Sequence, residues 1–324
     1  MAKGAYIGVG GVAHKVKKGY IGVNGVARKI KKAYIGIGGV ARPCWNSGLD
    51  NYGTITALSA ARSFFGAATV GDYAIFGGGY TGVYSNVVDA YSKSLTKSIP
   101  IELSVGRNVL AAATIGNYAL FAGGQTGTLV ESNVVDAYNS SLTKSTPTSL
   151  SAKRSGLAAT TIGNYALFGG GYYSYSVSNI VDAYDQSLTR TTPTELSEEK
   201  ESLAATTIGN YALFAGGYKS TAKKTVDAYD QSLTRTTPTE LSEIRQNLAA
   251  TSIINYALFA GGKGTAVTST VDAYDQSLTR TTPTALNKAR HGLAAATIGN
   301  YALFAGGDGG NSPYFDTVEA YTVA

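Results

Sequence analysis

Histidine and cysteine, the side chains that most often bind metals or act as activated nucleophiles, are scarce in this chain of 324 residues. There are two histidines, His14 and His291, and one cysteine, Cys44. They can build neither a histidine metal cluster nor a Ser-His-Asp set. We therefore predict no catalytic residue, no metal site and no cofactor. A pair of carboxylates for glycoside cleavage stays open, because its members could come from distant parts of the chain.

Tyrosine offers a different chemistry, that of recognition. Its ring is large and amphipathic and loses little conformational entropy on binding, which suits contacts with sugars or proteins. Several of the 23 tyrosines lie in segments that vary between otherwise similar stretches of the chain. The predicted recognition residues are Tyr80, Tyr84, Arg107, Tyr172, Tyr173, Tyr175, Tyr218, Lys219, Lys263, Arg290, His291 and Tyr314. An alternative left open is that these segments vary only because nothing constrains them.

The segment that positions these residues is Tyr165-Ala-Leu-Phe-Gly-Gly-Gly171, which occurs in six similar copies. The phenylalanines of the copies are Phe76, Phe121, Phe168, Phe214, Phe259 and Phe304. Their spacing of 45 to 47 residues indicates a repeat architecture.

Each repeat contains four short β-favouring runs joined by turn signals such as Gly163-Asn164. In one repeat the runs are residues 157–162, 165–169, 180–184 and 188–192. Four antiparallel strands in a repeat of this length make one propeller blade. The first run is rich in Ala and Thr, small enough to line a central channel. The sequence thus predicts an all-β fold, a six-bladed β-propeller over residues 50–324.

The two ends of the repeat region are incomplete in complementary ways. The last repeat ends at residue 324 without a fourth run, whereas residues 50–58 resemble the end of a repeat that has no beginning. Pairing the two would complete the sixth four-stranded blade with an N-terminal strand and remove two free sheet edges.

An acidic and a basic residue each recur once per repeat. The acidic residues are Asp89, Asp136, Asp182, Asp227, Asp272 and Glu319, and this dispersed spacing indicates a structural role. The basic residues are Arg62, Arg107, Arg154, Lys200, Arg245 and Arg290. With the Gly pair and the Val-Asp-Ala-Tyr run, these features resemble kelch repeats, which implies a kelch-like propeller. Kelch units usually carry a Trp in the fourth strand, and its absence here implies a different packing between blades.

In such a blade, the connection after the second strand and the connection into the blade emerge on the same face. These are the segments that differ most between the repeats of this chain. Because binding residues are commonly displayed on loops held by a rigid scaffold, this face is the predicted recognition surface.

Residues 1–49 form a separate, basic region with a shorter period. Tyr6, Tyr20 and Tyr34 lie 14 residues apart, and Gly-Gly or Asn-Gly pairs between β-favouring runs predict one hairpin per unit. The region carries nine Lys and Arg and no acid, whereas the remainder has a net charge of −3. Single hairpins are marginally stable, so an assembly role is expected.

These 14-residue units resemble the Tyr-Ile-Gly-Val-x-Gly-Val-Ala-Arg-Lys repeats at the start of phage and prophage tail proteins from Gram-positive hosts. The resemblance implies a virion or phage-tail-like particle, with residues 1–49 attached to other tail or baseplate proteins. The predicted attachment residues are Tyr6, Tyr20, Tyr34, Lys15, Arg28 and Lys29. Self-association through this arm is left open.

The leading hypothesis is a tail protein whose propeller binds a bacterial surface molecule, a glycan or a protein. The alternatives are a purely structural baseplate or virion decoration and an intracellular kelch interaction scaffold. Nucleic acid is a less favoured partner, since the basic arm lacks the interleaved aromatics of single-strand binders. We expect synthesis in the bacterial cytoplasm without a signal peptide, and no run of residues is apolar enough to span a membrane.

Overall fold

The computed structural model of the chain describes residues 6–9, 12–15, 20–23, 26–29, 32–37, 40–46, 55–310 and 314–323, the first six ranges through their backbone pairing alone. Two compact units are present, Met1–Ile55 and Thr56–Ala324. The described part of the chain contains strands and no helix, so it offers no helix that could cross a membrane.

The first unit consists of three antiparallel hairpins, as the 14-residue period predicts. Their strands are β1 (Tyr6–Val9), β2 (Val12–Lys15), β3 (Tyr20–Val23), β4 (Val26–Lys29), β5 (Lys32–Ile37) and β6 (Val40–Asn46). In the first two hairpins the register is identical, pairing Tyr6 with Lys15 and Tyr20 with Lys29.

The second unit is the predicted six-bladed propeller, with its blades in chain order. Blades one and two contain β7 (Gly66–Val70), β8 (Tyr73–Gly77), β9 (Val88–Ser92), β10 (Lys97–Ser98), β11 (Ala111–Ile115), β12 (Tyr118–Ala122), β13 (Gln125–Gly127), β14 (Val130–Glu131), β15 (Val135–Asn139) and β16 (Lys144–Ser145). Blades three and four contain β17 (Ala158–Ile162), β18 (Tyr165–Gly169), β19 (Tyr172–Tyr173), β20 (Ser176–Val177), β21 (Val181–Asp185), β22 (Arg190–Thr191), β23 (Ala204–Ile208), β24 (Tyr211–Ala215), β25 (Tyr218–Lys219), β26 (Thr221–Ala222), β27 (Val226–Tyr229) and β28 (Arg235–Thr236). Blades five and six contain β29 (Ala249–Ile253), β30 (Tyr256–Ala260), β31 (Val271–Asp275), β32 (Arg280–Thr281), β33 (Ala294–Ile298), β34 (Tyr301–Ala305) and β35 (Val318–Tyr321).

Blades one to five are four-stranded antiparallel sheets, and the sixth has three strands within the described residues. In blade three the strands β17, β18, β21 and β22 fall on the four predicted runs. The predicted closing strand, residues 50–58, lies partly outside the described residues. Its described end packs on blade one, where the Tyr91 hydroxyl donates to the carbonyl of Thr56 at 2.8 Å.

An ion pair links the segment before the first strand of each blade to the third strand of the same blade. In blade three the Arg154 guanidinium donates to Asp182 and to the carbonyl oxygens of Phe168 and Gly170, the last two at 3.0 Å. The side chains of Arg154 and Asp182 are both fully buried. The same pair recurs in the other blades, as Arg62 with Asp89, Arg107 with Asp136, Lys200 with Asp227, Arg245 with Asp272 and Arg290 with Glu319. The recurring acids are therefore structural, as predicted.

Neighbouring blades meet through the repeated phenylalanine. Phe214 of blade four is fully buried and stands edge-on to Tyr229, with ring centroids 5.9 Å apart. A Cβ at Gly169 of blade three would lie 2.9 Å from the Phe214 ring. This phenylalanine is thus the wedge between neighbouring blades.

The first strands of the blades surround a central cavity of about 470 Å³, lined by Ala, Thr and Ser side chains of blades one to five. Threonine hydroxyls link these strands from one blade to the next: Thr114 donates to the carbonyl of Thr69 at 2.6 Å, and Thr161 to that of Thr114 at 2.7 Å. The small residues of the first run therefore line the channel, as their size predicts.

Glycine at the end of the second strand is required by two constraints at once. Gly170 has a φ of +70°, and a Cβ there would lie 2.5 Å from the Lys200 carbonyl oxygen. Gly299 has a φ of +55° with open space around its Cβ position.

We expect Gly299→Ala to lower the free energy of unfolding by about 1 kcal/mol through backbone strain. Gly170→Ala should cost about 2 kcal/mol more, because the clash is added. Urea unfolding of both variants measures the difference, and equal losses would contradict it.

Candidate functional site

The two variable connections of each blade meet on one face, as predicted. The residue three positions before the first strand forms a β-bridge with the residue that follows the Gly pair. The residue after the Gly pair also pairs with a third residue across a short turn. We call these three residues a bridge triad. In chain order the triads are Ser63, Tyr80, Tyr84; Asn108, Gln125, Glu131; Ser155, Tyr172, Val177; Glu201, Tyr218, Ala222; Gln246, Lys263, Val267; and His291, Asp308, Tyr314.

A backbone rim that runs from blade one to blade six holds the triads in place. The residue after each triad's first member has a positive φ, and in blades two to six its N–H donates to the equivalent carbonyl of the preceding blade. The rim residues are Phe64, Val109, Gly156, Ser202, Asn247 and Gly292, joined by five hydrogen bonds of 2.8 to 3.1 Å. Since the channel-lining strands begin a few residues later, the rim lies at the mouth of the channel. The triads therefore stand on a rigid frame around one opening.

The triads present different chemistry on this identical frame. In blade one Tyr80 and Tyr84 form an edge-to-face pair with centroids 5.6 Å apart, and 40% of Tyr80 is exposed. In blade six the His291 ring nitrogen lies 4.0 Å from the Asp308 carboxylate. Lys263 supplies an exposed cation in blade five. The face thus combines aromatic surface with both signs of charge.

Glu201 is the acid of the blade-four triad. Burial raises the pKa of its carboxyl group. One carboxylate oxygen lies 3.4 Å from the Cβ position of the rim residue Gly156. Glu201 is therefore tucked against the rim rather than extended into solvent.

Short hairpins extend beyond the triads. In blade three the strands β19 and β20 pair Tyr173 with Ser176, leaving Tyr175 at the tip with 78% of its surface exposed. Tyr314 of blade six is 86% exposed. Lys219 of blade four forms an exposed ion pair with Glu199. These are the most accessible of the predicted recognition residues.

Two of the predicted recognition residues are inaccessible to a ligand. The side chains of Arg107 and Arg290 are completely buried in their blades, where they pair with Asp136 at 2.7 Å and Glu319 at 3.0 Å. The terminal nitrogens of each guanidinium donate to this carboxylate and to strand carbonyls inside the blade. We therefore exclude both arginines from the candidate site.

Of the predicted recognition residues, Tyr80, Tyr84, Tyr172, Tyr218, Lys263, His291 and Tyr314 belong to bridge triads, and Tyr173, Tyr175 and Lys219 to the adjoining hairpins. Asn108, Gln125, Glu131, Glu201 and Asp308 lie in the variable segments of the predicted surface but are not among the individual residues predicted for recognition. A signal for two of them was present, since Gln125 and Asp308 directly follow a Gly pair, as Tyr80 and Tyr172 do.

The predicted attachment residues all lie on strands of the first unit. They are Tyr6 on β1, Lys15 on β2, Tyr20 on β3, Arg28 and Lys29 on β4, and Tyr34 on β5. Their attachment role stays a prediction. Within the described residues there is no cluster of three or more His, Cys, Asp or Glu side chains arranged to hold a metal.

The fold is that of a β-propeller, which fits a binding or scaffold role. Among solved structures the chain is similar to one titled "Structure of YjhT", with a TM-score of 0.66, 13% identity, 83% of this chain covered and 97% of that chain covered. At that identity the likeness shows the fold alone. No protein-family model matches the chain. No curated protein matches it either.

Proposed function

We propose that this protein belongs to a phage tail or phage-tail-like particle and binds a bacterial surface receptor, a glycan, through the bridge triads and their hairpins. The observation that carries the binding role is the contrast between an invariant frame and variable exposed side chains. Every blade repeats an ion pair between one basic and one acidic side chain, and blades two to six repeat the fully buried phenylalanine, whereas the triads carry Tyr, Lys, His, Asp or Glu. Variation of the side chains on loops that a repeated scaffold holds in place is typical of a recognition surface.

A glycan suits the chemistry of this face. Exposed tyrosine rings stack on the apolar faces of sugars while their hydroxyls hydrogen-bond, and the rings lose little entropy on binding. Tyr173 and Tyr175 lie close together on one hairpin, exposed by 46% and 78%. The role is non-catalytic in this proposal, because recognition needs no titrating group.

The arm supports the other half of the proposal. Its three tandem hairpins form a compact unit separate from the propeller, and its units resemble those of phage tail proteins. Tail or baseplate proteins are the proposed partners of this unit, and the virion or particle is the proposed location.

Removal of the exposed tyrosines tests the assigned face. We expect Tyr173→Ala and Tyr175→Ala together to weaken binding of the full-length chain to host cells at least tenfold, because two stacking surfaces are lost. The matched control is Tyr301→Ala, which removes a ring that is 52% exposed at the start of β34, the strand end remote from the triads. Fluorescently labelled protein on cells and on a glycan array gives the affinities. Equal binding by all variants would contradict the assignment.

Particles distinguish the proposal from a purely structural decoration. A particle whose copy of the protein carries a Tyr173→Ala, Tyr175→Ala propeller should assemble normally and adsorb poorly. Normal adsorption by that particle, with cell binding of the free protein also intact, would favour decoration. Recovery of the protein with a cytosolic partner and not with particles would favour an intracellular scaffold.

A further inference from the structure

The bridge triad of blade two differs in kind from the other five. Asn108, Gln125 and Glu131 all carry side-chain carbonyl or carboxylate oxygens. At the position of Glu131 the other blades have Tyr84, Val177, Ala222, Val267 and Tyr314. A charged residue has therefore been introduced where the frame otherwise holds an apolar or aromatic side chain.

Two oxygens of this triad are buried without a partner. Glu131 is 4% exposed and Asn108 is 8% exposed. The Glu131 Oε1 and Asn108 Oδ1 atoms each lack a hydrogen bond. Since a buried unpaired acceptor costs about 1 to 3 kcal/mol, and more when it is charged, a partner for these atoms is expected.

Strand register brings the three side chains to one side of a ribbon. Asn108 bridges to Gln125, and Gln125 pairs with Glu131 across the β13–β14 hairpin. Directly paired residues of antiparallel strands have their side chains on the same side, with Cβ atoms about 5 Å apart. The carboxylate and side-chain carbonyl oxygens can only accept, and the Glu131 Oε1 and Asn108 Oδ1 atoms have no donor, so a cation or an external donor suits the space between them.

We propose that Asn108, Gln125 and Glu131 bind a calcium ion at the rim of the channel. Carboxylate and amide oxygens are ligands that Ca²⁺ prefers, and Ca²⁺ tolerates irregular geometry with water completing its shell. Zinc is not favoured, because it prefers Cys and His ligands and this triad has neither. Mg²⁺ is less favoured, because it demands near-ideal octahedral geometry at shorter distances and gives up its water ligands reluctantly, whereas two amide oxygens and one carboxylate suit the more tolerant Ca²⁺. With one carboxylate, the affinity should resemble that of weak extracellular sites, about 0.1 to 1 mM. The inference does not rest on the proposed receptor function.

The site is tested by metal titration of the full-length protein after removal of metals with a chelator. Calorimetry with CaCl₂ should show one site, and the melting temperature should rise with Ca²⁺ and much less with equal MgCl₂. Glu131→Gln should weaken Ca²⁺ binding at least tenfold, since it removes the only charge of the site and keeps its shape. The control, Glu201→Gln, makes the same change at the half-buried acid of the blade-four triad and should leave Ca²⁺ binding unchanged.

The opposing possibility is an internal contact, with the Asn108 amide turned so that its nitrogen donates to Glu131. Asn108→Asp separates the two possibilities. If Asn108 is a Ca²⁺ ligand, the new charge should make the protein bind Ca²⁺ more tightly. If the Asn108 amide donates to Glu131, the variant loses that donor and places two acids together, which lowers the melting temperature at every Ca²⁺ concentration. The proposal is overturned by that second result, by the absence of heat and of a melting shift up to about 10 mM Ca²⁺, or by Glu131→Gln binding as well as the wild type.

Discussion

Arg154→Met should lower the free energy of unfolding by about 3 to 5 kcal/mol, because it leaves Asp182 buried without its cation. Both side chains are fully inaccessible to solvent. The same substitution removes the donors to the Phe168 and Gly170 carbonyls at 3.0 Å, so strand ends of the blade lose partners as well. Burial lowers the pKa of the Arg154 guanidinium, and the negative charge of Asp182 raises it. The carboxylate therefore helps to keep the guanidinium charged inside the blade. The measurement is the denaturant midpoint and slope.

The control for this prediction is an ion pair of the same type on the surface. Lys93 and Asp72 are 76% and 67% exposed, so Asp72→Asn should change the unfolding free energy by less than about 0.5 kcal/mol. The double variant Arg154→Met, Asp182→Leu should recover part of the loss, since the uncompensated charge is gone. A single Arg154→Met variant as stable as the wild type would show that the pair contributes nothing to the blade.

The period of the sequence was sufficient to predict the blades. The repeat indicates the number of blades and the four runs within each. Strands such as β17 and β18 are bounded by turn signals, which consist of residues adjacent in the sequence. The small residues of the first run also predicted the channel. These features are local, or repeat with one period, and for that reason they can be derived without coordinates.

The partners of side chains could not be derived in the same way. Arg107 was predicted to face a receptor because it lies in a variable connection, yet it pairs with Asp136, 29 residues away. The regular recurrence of both residue types was visible, but their contact depends on how the connection folds back over the third strand. The sequence shows the period of a residue and not the direction of its side chain.

The bridge triads were hidden for the same reason. Asn108, Gln125 and Glu131 are separated along the chain and are joined only by the register of two short pairings. Glu131 looked like an ordinary loop acid, since nothing in its neighbours indicates 4% exposure. Alignment of the six repeats with one another reveals Glu131, because the equivalent position is apolar or aromatic in the other five repeats.

The seam between the sixth and the first blade differs from the other five junctions. Within the described residues, the rim hydrogen bond that would join Phe64 to Gly292 is not formed, and Phe64 and Ile298 are 66% and 57% exposed. The hydroxyl links between first strands also start at blade one and end at blade six. The wedge phenylalanine of blade one therefore lacks the preceding blade that its counterparts have.

Two equivalent phenylalanines report on that seam. Phe214→Ala should lower the free energy of unfolding by about 3 to 5 kcal/mol, because it opens a cavity at a fully buried junction. Phe76→Ala should cost clearly less, about half as much, since Phe76 is only partly buried and contacts Phe65 and Tyr91 of its own blade. Phe304→Ala, at the fully buried junction of blades five and six, is the control and should match Phe214→Ala. Urea unfolding of the three variants gives the comparison. An equal loss for Phe76→Ala would mean that blade six covers this ring in solution, as closure by a strand from residues 50–58 requires.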